Sequence, residues 1–486
     1  MRTKEKITDI LLVLVIILTG LLFLSYFKIK HQMTFTNLDE LLWMYRSRFF
    51  IDRILSADFS NLIQSSQPGI MAMWLIGPFM KILNYDFMSI SNFISELNNS
   101  GVPYNIINGN DYQIYSDYKE LSFFLNIPIL SVVFFFIFSL YYLLKKLNFN
   151  KWAIVFSLLL IVTTPYHIYF TTPTDKLVGI FSTLSILSLL VYADNKGGRK
   201  FLFASAILCS WAVLTKISAL FLVPFSLFVL AVYEYYRCGD EAMSRLYDNI
   251  RTSSLLPRCS FSIEDCSDSR ACSSQSSIER LRRGRKSKEV LNIKNVAKDY
   301  LFWLVTFLTT SVIFLPTIIT DPRSILKFFA KESSERAIAG SPANYDLFLN
   351  FKIVLTYLSD SFMLSFNLFV IAIFIAFICL IIQKIKGKIA IDRKIVILII
   401  YCLSFFVFVT LFSKTYSFRY LVPSLIIFQI VSGVGIYEFS GILAKKSRTI
   451  NKNITYLFVV TFILLSQLLL IYYSALEKIE ELPYFG

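Results

Sequence analysis

Long apolar stretches recur along the whole chain, each about the length of one helical crossing of a bilayer. Only 17% of the 486 residues are charged and 56% are hydrophobic, whereas soluble domains carry about a quarter charged and under half apolar residues. This composition excludes an ordinary soluble enzyme. The sequence predicts an all-α polytopic membrane protein of about 11 transmembrane helices, at 10–27, 121–144, 152–170, 177–193, 201–214, 217–235, 300–319, 362–382, 395–411, 421–439 and 454–474.

The basic residues predict how the chain is oriented in its membrane. With a cytoplasmic N-terminus, most of the 48 Lys and Arg residues fall in cytoplasmic segments, as the positive-inside rule requires. The formal charge of +15 therefore indicates topology and contact with membrane lipids, not binding of nucleic acid. No small-residue cleavage pattern follows the first apolar stretch, which we interpret as an uncleaved anchor of a multi-pass cell (plasma) membrane protein.

Three polar regions interrupt a single membrane domain that we assign to residues 1–486. Residues 28–120 form the first extracytoplasmic loop, in which a charged amphipathic stretch and the short apolar run Ile70 to Leu83 predict interfacial or re-entrant helices. Residues 236–298 are rich in Ser, Arg and Cys and predict a disordered basic cytoplasmic insert. Residues 320–361 form a further extracytoplasmic loop of mixed charge.

Ionisable residues gather at the predicted outer membrane boundary and not in the middle of the spans. No P-loop, dinucleotide fingerprint, zinc-protease or nucleophile-elbow motif occurs. Chemistry at the headgroup plane fits this layout. A sugar linked to a polyprenyl phosphate needs a carboxylate to deprotonate the acceptor and cations to stabilise the leaving phosphate. The boundary residues are Asp39, Glu40, Arg46, Arg48, Asp175, Lys176, Lys216, Lys414 and Arg419.

Four short segments resemble motifs of the GT-C glycosyltransferase superfamily, in particular the group of protein mannosyltransferases and aminoarabinose transferases (family 39 type). They occur in the family's order and on one predicted side of the membrane. The segments are Asn37-Leu38-Asp39-Glu40 with Gln67-Pro68-Gly69, Thr174-Asp175-Lys176-Leu177, Leu214-Thr215-Lys216 followed by Pro224, and Arg419-Tyr420-Leu421-Val422-Pro423. The resemblance covers about residues 1–235 and 300–440 and implies a GT-C-like fold.

The resemblance implies an inverting transfer of a monosaccharide from a polyprenyl- or dolichyl-phosphate carrier to an extracytoplasmic protein, lipid or envelope glycan. Asp39 corresponds to the catalytic carboxylate, and Glu40 contacts the acceptor. Arg419, with Lys414 and Lys216, would bind the donor phosphate. Asp175 matches a residue that lies near the donor or a divalent metal in some relatives, so the resemblance leaves a cofactor open. The resemblance also places Gln67 near the donor, the acceptor or a metal, at a position where the relatives often have Lys or His.

Other interpretations of the same residues stay open at this point. The pair Asn37 and Glu40 also fits a helix-capping box, and Asp39 fits a first helical turn, where acidic residues are favoured. Asp175 fits a cap of the span that it begins, and Lys216 and Arg419 fit snorkelling interfacial residues. A secondary transporter or lipid flippase fits the number of spans. It would need ionisable groups at mid-membrane, which the sequence lacks. A non-catalytic membrane scaffold is the third possibility.

Overall fold

The computed structural model describes residues 2–30, 38–59, 62, 69–83, 112–163, 173–195, 198–253, 293–323, 392–412, 422–446 and 452–474. At several helix ends, including 38–42, the description extends to the backbone only. The described part of the chain is helical and contains no strand.

The described helices follow the apolar periodicity of the sequence. They are α1 (Arg2–Lys30), α2 (Leu38–Leu55), α3 (Ile70–Ile82), α4 (Tyr112–Lys146), α5 (Lys151–Thr163), α6 (Pro173–Asn195), α7 (Arg199–Thr215), a 3₁₀ segment (Ile217–Phe221), α8 (Leu222–Ser253), α9 (Ile293–Phe314), α10 (Thr317–Thr320), α11 (Arg393–Phe412), α12 (Val422–Lys446) and α13 (Lys452–Ser474).

Helix α6 lies at the centre of the bundle. It packs most extensively against α7 and also contacts α3, α4, α8 and α12. The most apolar 18-residue stretch of α6 is 83% buried inside the protein, whereas that of α9 is 33% buried. The outward side chains of α1, α9 and α13 are large and apolar, and a bilayer is the environment in which such surfaces are stable.

Five described segments are long and apolar enough to cross a membrane, namely Ile127–Lys146, Pro173–Asp194, Ile217–Arg237, Lys294–Phe314 and Pro423–Ile442. Shorter apolar helices occur at Ile7–Leu22, Ile70–Ile82, Lys151–Thr163 and Asn453–Leu465. The chain is therefore an α-helical membrane protein, as predicted, and the total of about 11 spans stays a prediction. The predicted span 362–382 lies outside the described residues.

Ion pairs join the helix ends at one end of the bundle, which we call the Asp9 end. The Asp9 carboxylate accepts a short hydrogen bond from Lys145 Nζ and lies 3.5 Å from Lys151 Nζ. Lys394 Nζ contacts Asp194 Oδ2 at 3.2 Å and donates to the Leu147 carbonyl at 2.7 Å. These contacts bring together the helix ends that the charge pattern assigns to one side of a membrane.

A glycine allows α5 and α12 to pack closely. A Cβ added at Gly433 would lie 2.4 Å from the backbone nitrogen of Ser157, a distance that no side chain tolerates. Ser157 Oγ lies 3.1 Å from the Ile430 carbonyl, and Gln429 Nε2 lies 3.4 Å from the Leu160 carbonyl. The order of these contacts shows that the two helices are antiparallel, so α12 begins at the end opposite Asp9.

Two sequence expectations need correction at their boundaries. Residues 236–253, predicted as disordered insert, continue α8, because they are rich in helix-forming residues with an amphipathic pattern, and residues 293–298 of the same predicted insert form the start of α9. The polar stretch predicted as a loop up to Glu120 is helical from Tyr112. The remaining insert residues 254–292, and residues 324–391 with most of the predicted loop 320–361, lie outside the described part.

Candidate functional site

Helix α6 begins at the end of the bundle opposite Asp9, which we call the Asp175 end. Pro173 occupies the first helical position, where its missing N–H is not needed. Asp175 follows in the first turn, where the positive end of the helix dipole stabilises a carboxylate. The residue is 1% exposed, so its charge needs a partner within the protein.

Lys216 provides that partner from a break between two helices. Helix α7 ends at Thr215, and Lys216 adopts an extended conformation (φ −153°, ψ 129°) before the 3₁₀ segment. Its backbone N–H donates to the Ala212 carbonyl at 2.9 Å. Lys216 therefore directly follows the last turn of α7, the end of the helix at which a cation is favoured.

The two side chains form a buried ion pair. Lys216 Nζ lies 2.5 Å from Asp175 Oδ1, and the side chains are 3% and 1% exposed. A buried pair is stable only when its geometry is good and further groups compensate for desolvation. Here Asp175 also lies in the first turn of α6 and Lys216 directly after the last turn of α7, the helix ends that favour a negative and a positive charge.

Helix α3 lies across the ends of α7 and α9. The backbone N–H of Gly69 donates to the Thr215 carbonyl at 3.1 Å, and Trp74 Nε1 donates to the Phe314 carbonyl at 3.0 Å. Both acceptors are C-terminal carbonyls that have no partner within their own helix. The Gln67-Pro68-Gly69 motif therefore ends directly on the residue that precedes Lys216.

Helix α2 packs alongside α3 and runs in the same direction. Gly69 has φ 55°, and a Cβ added there would lie 1.9 Å from the Trp43 ring, so only glycine fits. The contacts keep their order along both helices: Trp43 with Gly69, Ser47 with Gly77, and Asp52 with Lys81. Asp39 and Glu40 belong to the first turn of α2, one turn before Trp43, and their side chains lie outside the description.

A chain of aromatic rings links five helices at the Asp175 end. Successive rings meet edge to face, with centroids 5.4 to 5.9 Å apart, the spacing at which such pairs attract. This chain fixes α2 and α3 on the membrane helices. Its members, in order, are Phe50, Trp74, Phe314, Trp211 and Phe181.

Several cations of α2 and α3 are paired with carboxylates. Asp52 accepts from Arg48 Nε at 2.9 Å and from Lys81 Nζ at 2.7 Å, and Arg53 contacts Asp58 at 3.2 Å. The guanidinium carbon of Arg46 lies 5.0 Å from the centre of the Trp43 ring. The positive charge of α2 is thus anchored at defined positions.

Asp175 was expected to lie near a donor or a divalent metal. Its Oδ1 contacts an ammonium group, an arrangement that does not fit a cation at the same oxygen. Among the described residues, no group of three or more His, Cys, Asp or Glu side chains is placed to hold a metal. A divalent metal near Asp175 stays a prediction.

The structure brings together some of the predicted site residues. Asp175 and Lys216 are in direct contact, and the helix carrying Asp39 and Glu40 lies over the same end of the bundle. Gln67, Lys414 and Arg419 lie outside the described residues. Sequence reasoning gave no role to Trp43, whose only sequence signal is its position one turn after Asp39.

A cleft at the Asp9 end is separate from this site. It lies between α6, α8 and α9, and its lining includes Glu234, Arg237 and Tyr192, whose hydroxyl donates to Asp299 at 2.7 Å. Tyr192 is 17 residues beyond Asp175 on α6, which corresponds to about 26 Å of helix. The cleft therefore does not contribute to the Asp175 end.

No protein-family model, curated protein or solved structure matches this chain.

Proposed function

We propose that this protein is a membrane glycosyltransferase that moves a monosaccharide from a polyprenyl- or dolichyl-phosphate carrier to an acceptor outside the cytoplasm. The observation that carries the proposal is the meeting of three separate motifs at the Asp175 end. The Gly69 N–H binds the Thr215 carbonyl, Lys216 pairs with Asp175, and α2 with Asp39 lies on top. The start of α12, three residues after Arg419, belongs to the same end.

In this proposal Asp39 is the general base and Glu40 contacts the acceptor. The acceptor hydroxyl attacks the anomeric carbon, its proton passes to Asp39, and the bond to the lipid phosphate breaks. Arg419 and Lys414 stabilise the leaving phosphate. The Lys216 ammonium group also binds Asp175, so it can stabilise the phosphate only in part. No step uses a metal at Asp175. The identity of the sugar and of the acceptor depends on the shape of the cavity, and the proposal does not specify them.

The placement of charge favours this proposal over ion-coupled transport. In the described apolar helices, the ionisable residues lie near the helix ends, as with Asp175 and Asp194 on α6 and Glu438 on α12. Ion-coupled transporters usually bind their ions through groups at the middle of the membrane.

The direct test is donor turnover by the full-length protein reconstituted in liposomes. A panel of polyprenyl-phosphate-linked hexoses and pentoses is supplied together with a native membrane extract as the source of acceptor. Release of free polyprenyl phosphate reports transfer whatever the sugar is. Turnover of one donor supports the proposal, whereas substrate flux without any lipid-phosphate product contradicts it.

Asp39→Asn tests the assigned base in the same assay. We expect a loss of about 100- to 10,000-fold in donor turnover, the usual contribution of a general base. Asp58→Asn is the matched control, because Asp58 is an exposed carboxylate just beyond the far end of α2. Wild-type turnover in Asp39→Asn would remove Asp39 from the chemistry.

A further inference from the structure

We infer that the cleft at the Asp9 end binds the ammonium group of an ethanolamine phospholipid. The cleft lies between α6, α8 and α9, and the polar residues that carry the inference are Tyr192, Glu234, Arg237 and Asp299. The cleft is separate from the Asp175 end, so this inference goes beyond the proposed function and does not depend on it.

The lining of the cleft contains two carboxylates but one cation. Glu234 is almost wholly buried, and its Oε1 accepts from Arg237 Nη2 at 3.0 Å. Asp299 Oδ2 accepts from the hydroxyl of Tyr192 at 2.7 Å. In the part of the chain that the structure describes, no lysine or arginine forms an ion pair with Asp299. Glu234 therefore has a cation, whereas the described contact of Asp299 is with a neutral group.

Asp299 lies inside a membrane span. It is the sixth residue of the segment Lys294–Phe314, about 8 Å along the helix from its start. This depth is close to the thickness of one headgroup layer. A carboxylate at the boundary of the hydrocarbon is costly unless a cation accompanies it. The position of Asp299 therefore calls for a cation at the level of the lipid headgroups.

Asn295 shows that the two carboxylates are neighbours. Its Nδ2 lies 3.4 Å from Glu234 Oε1, and Asp299 follows one turn later on α9, where side chains four positions apart lie next to each other. Neighbouring carboxylates repel each other, and a cation that contacts both removes the repulsion. A primary ammonium group has three N–H donors, so it can bind both carboxylates at once.

The surroundings of the cleft favour an ammonium group that belongs to a lipid. On α9, Leu301 and Phe302 follow Asp299 and are exposed, and on α8, Tyr235 follows Glu234 and is exposed. On membrane spans, large exposed side chains of this kind pack against acyl chains. A lipid bound at the cleft would therefore find apolar side chains for its tails next to the carboxylates.

Exposed cations at the same level suit the phosphate of such a lipid. Arg199 is within electrostatic reach of Tyr192, Lys298 directly precedes Asp299, and both are exposed. Cations at the headgroup level attract lipid phosphates. An ethanolamine phospholipid carries acyl chains, a phosphate and a primary ammonium group in this order. A glycerol headgroup lacks the ammonium group, and a choline headgroup lacks its N–H donors.

The experiment measures lipid binding by the full-length protein. The protein is delipidated in detergent and titrated with phosphatidylethanolamine or with phosphatidylcholine of the same acyl chains, and bound lipid is counted by native mass spectrometry. We expect the wild type to bind phosphatidylethanolamine about tenfold more tightly, the contribution of a charge-assisted hydrogen bond. Asp299→Asn should lose most of this preference.

Unfolding midpoints in nanodiscs separate a lipid site from a purely structural role of Asp299. Without phosphatidylethanolamine, Asp299→Asn should unfold no earlier than the wild type, because the amide oxygen still accepts from Tyr192 and no charge needs compensation. With phosphatidylethanolamine, the wild-type midpoint should rise and that of the variant should not. A midpoint that falls equally in both lipids would overturn the inference.

Glu438→Gln is the matched control. Glu438 is an exposed carboxylate on α12 near the same end of the bundle, and its loss should leave the lipid preference unchanged. Equal losses of preference in Glu438→Gln and Asp299→Asn overturn the inference, because the total charge would then explain both. Equal wild-type binding of the two lipids overturns it as well. Displacement of the lipid by soluble ethanolamine at the same concentration would show a site for free amines and overturn the lipid assignment.

Discussion

Lys216 Nζ and Asp175 Oδ1 lie 2.5 Å apart although the residues are 41 positions apart in sequence and both side chains are almost wholly buried. Their contact ties the end of α7 to the start of α6, the central helix of the bundle. Because Lys216 directly follows the carbonyl that receives the Gly69 N–H, the pair also fixes the place where the first loop docks.

We predict that Lys216→Met destabilises the protein strongly, by about 3–5 kcal/mol, because it leaves a buried carboxylate without its cation. The double variant Asp175→Asn with Lys216→Met should recover much of this loss, since no uncompensated charge remains. Thermal unfolding in detergent and titration with a denaturing detergent measure both effects.

Lys81→Met is the control for the ion pair. It breaks the contact with Asp52, in which the two side chains are 46% and 42% exposed, and should cost less than about 1 kcal/mol. Equal stability losses in Lys81→Met and Lys216→Met would show that burial gives the Asp175 pair no special role.

We predict that Gly69→Ala lowers donor turnover although it adds only one methyl group. The left-handed backbone costs an alanine about 1–2 kcal/mol, and its Cβ would overlap the Trp43 ring. Helix α2 must move to relieve the overlap, so donor turnover should fall by more than the loss of stability accounts for. Measuring turnover at a temperature well below the unfolding midpoint separates the two effects, and full turnover there would contradict the docking described for α2.

We predict opposite effects for two alanine substitutions on α12. Gly433→Ala should destabilise by about 1–3 kcal/mol, because its Cβ meets the Ser157 backbone and forces α5 and α12 apart. Gly441→Ala, two turns further on, has its nearest neighbour at 3.8 Å. It should stabilise by up to about 1 kcal/mol through higher helix propensity.

The comparison of the two unfolding midpoints checks this prediction. It fails if both substitutions shift the midpoint in the same direction by similar amounts.

We predict that Trp74→Phe costs about 1–3 kcal/mol. The substitution keeps an aromatic ring between Phe50 and Phe314 but leaves the Phe314 carbonyl without the indole N–H that binds it. Trp152→Phe serves as control, because Trp152 lies on α5 at the other end of the bundle and packs its ring against Tyr456. Similar losses in the two variants would mean that the ring, and not the hydrogen bond, provides the stability.

Much of the fold could be predicted from the local pattern of apolar and polar residues. Apolar stretches of membrane length predict where most described helices lie, because a segment in lipid must satisfy its own backbone hydrogen bonds. The break at Lys216 and the short apolar helix after Gly69 also follow from local signals. At 236–253 the polar composition suggested disorder, yet the helical pattern of that segment extends α8.

The site was less predictable, because its contacts join distant segments. The sequence places Asp175 and Lys216 at one membrane boundary, but the family resemblance assigned Lys216 to the donor phosphate. Nothing in the neighbouring sequence shows that the Lys216 ammonium group reaches Asp175. The contact between Trp43 and Gly69 depends on the packing of α2 on α3, which no periodicity specifies. The assigned roles of Asp39, Glu40, Gln67, Lys414 and Arg419 stay predictions.

Helix α3 has a mechanical consequence for the bundle. Gly69, the N-cap of α3, binds the last carbonyl of α7, and Trp74, at the start of the second turn of α3, binds the last carbonyl of α9. Helix α3 therefore connects the C-terminal ends of α7 and α9. If the ends of α7 and α9 moved apart by more than a hydrogen bond can stretch, the bond of Gly69 to Thr215 or the bond of Trp74 to Phe314 would break. A movement that separates α7 from α9 must therefore either displace α3, together with the α2 helix that carries Asp39, or keep the distance between the C-terminal ends of α7 and α9 unchanged.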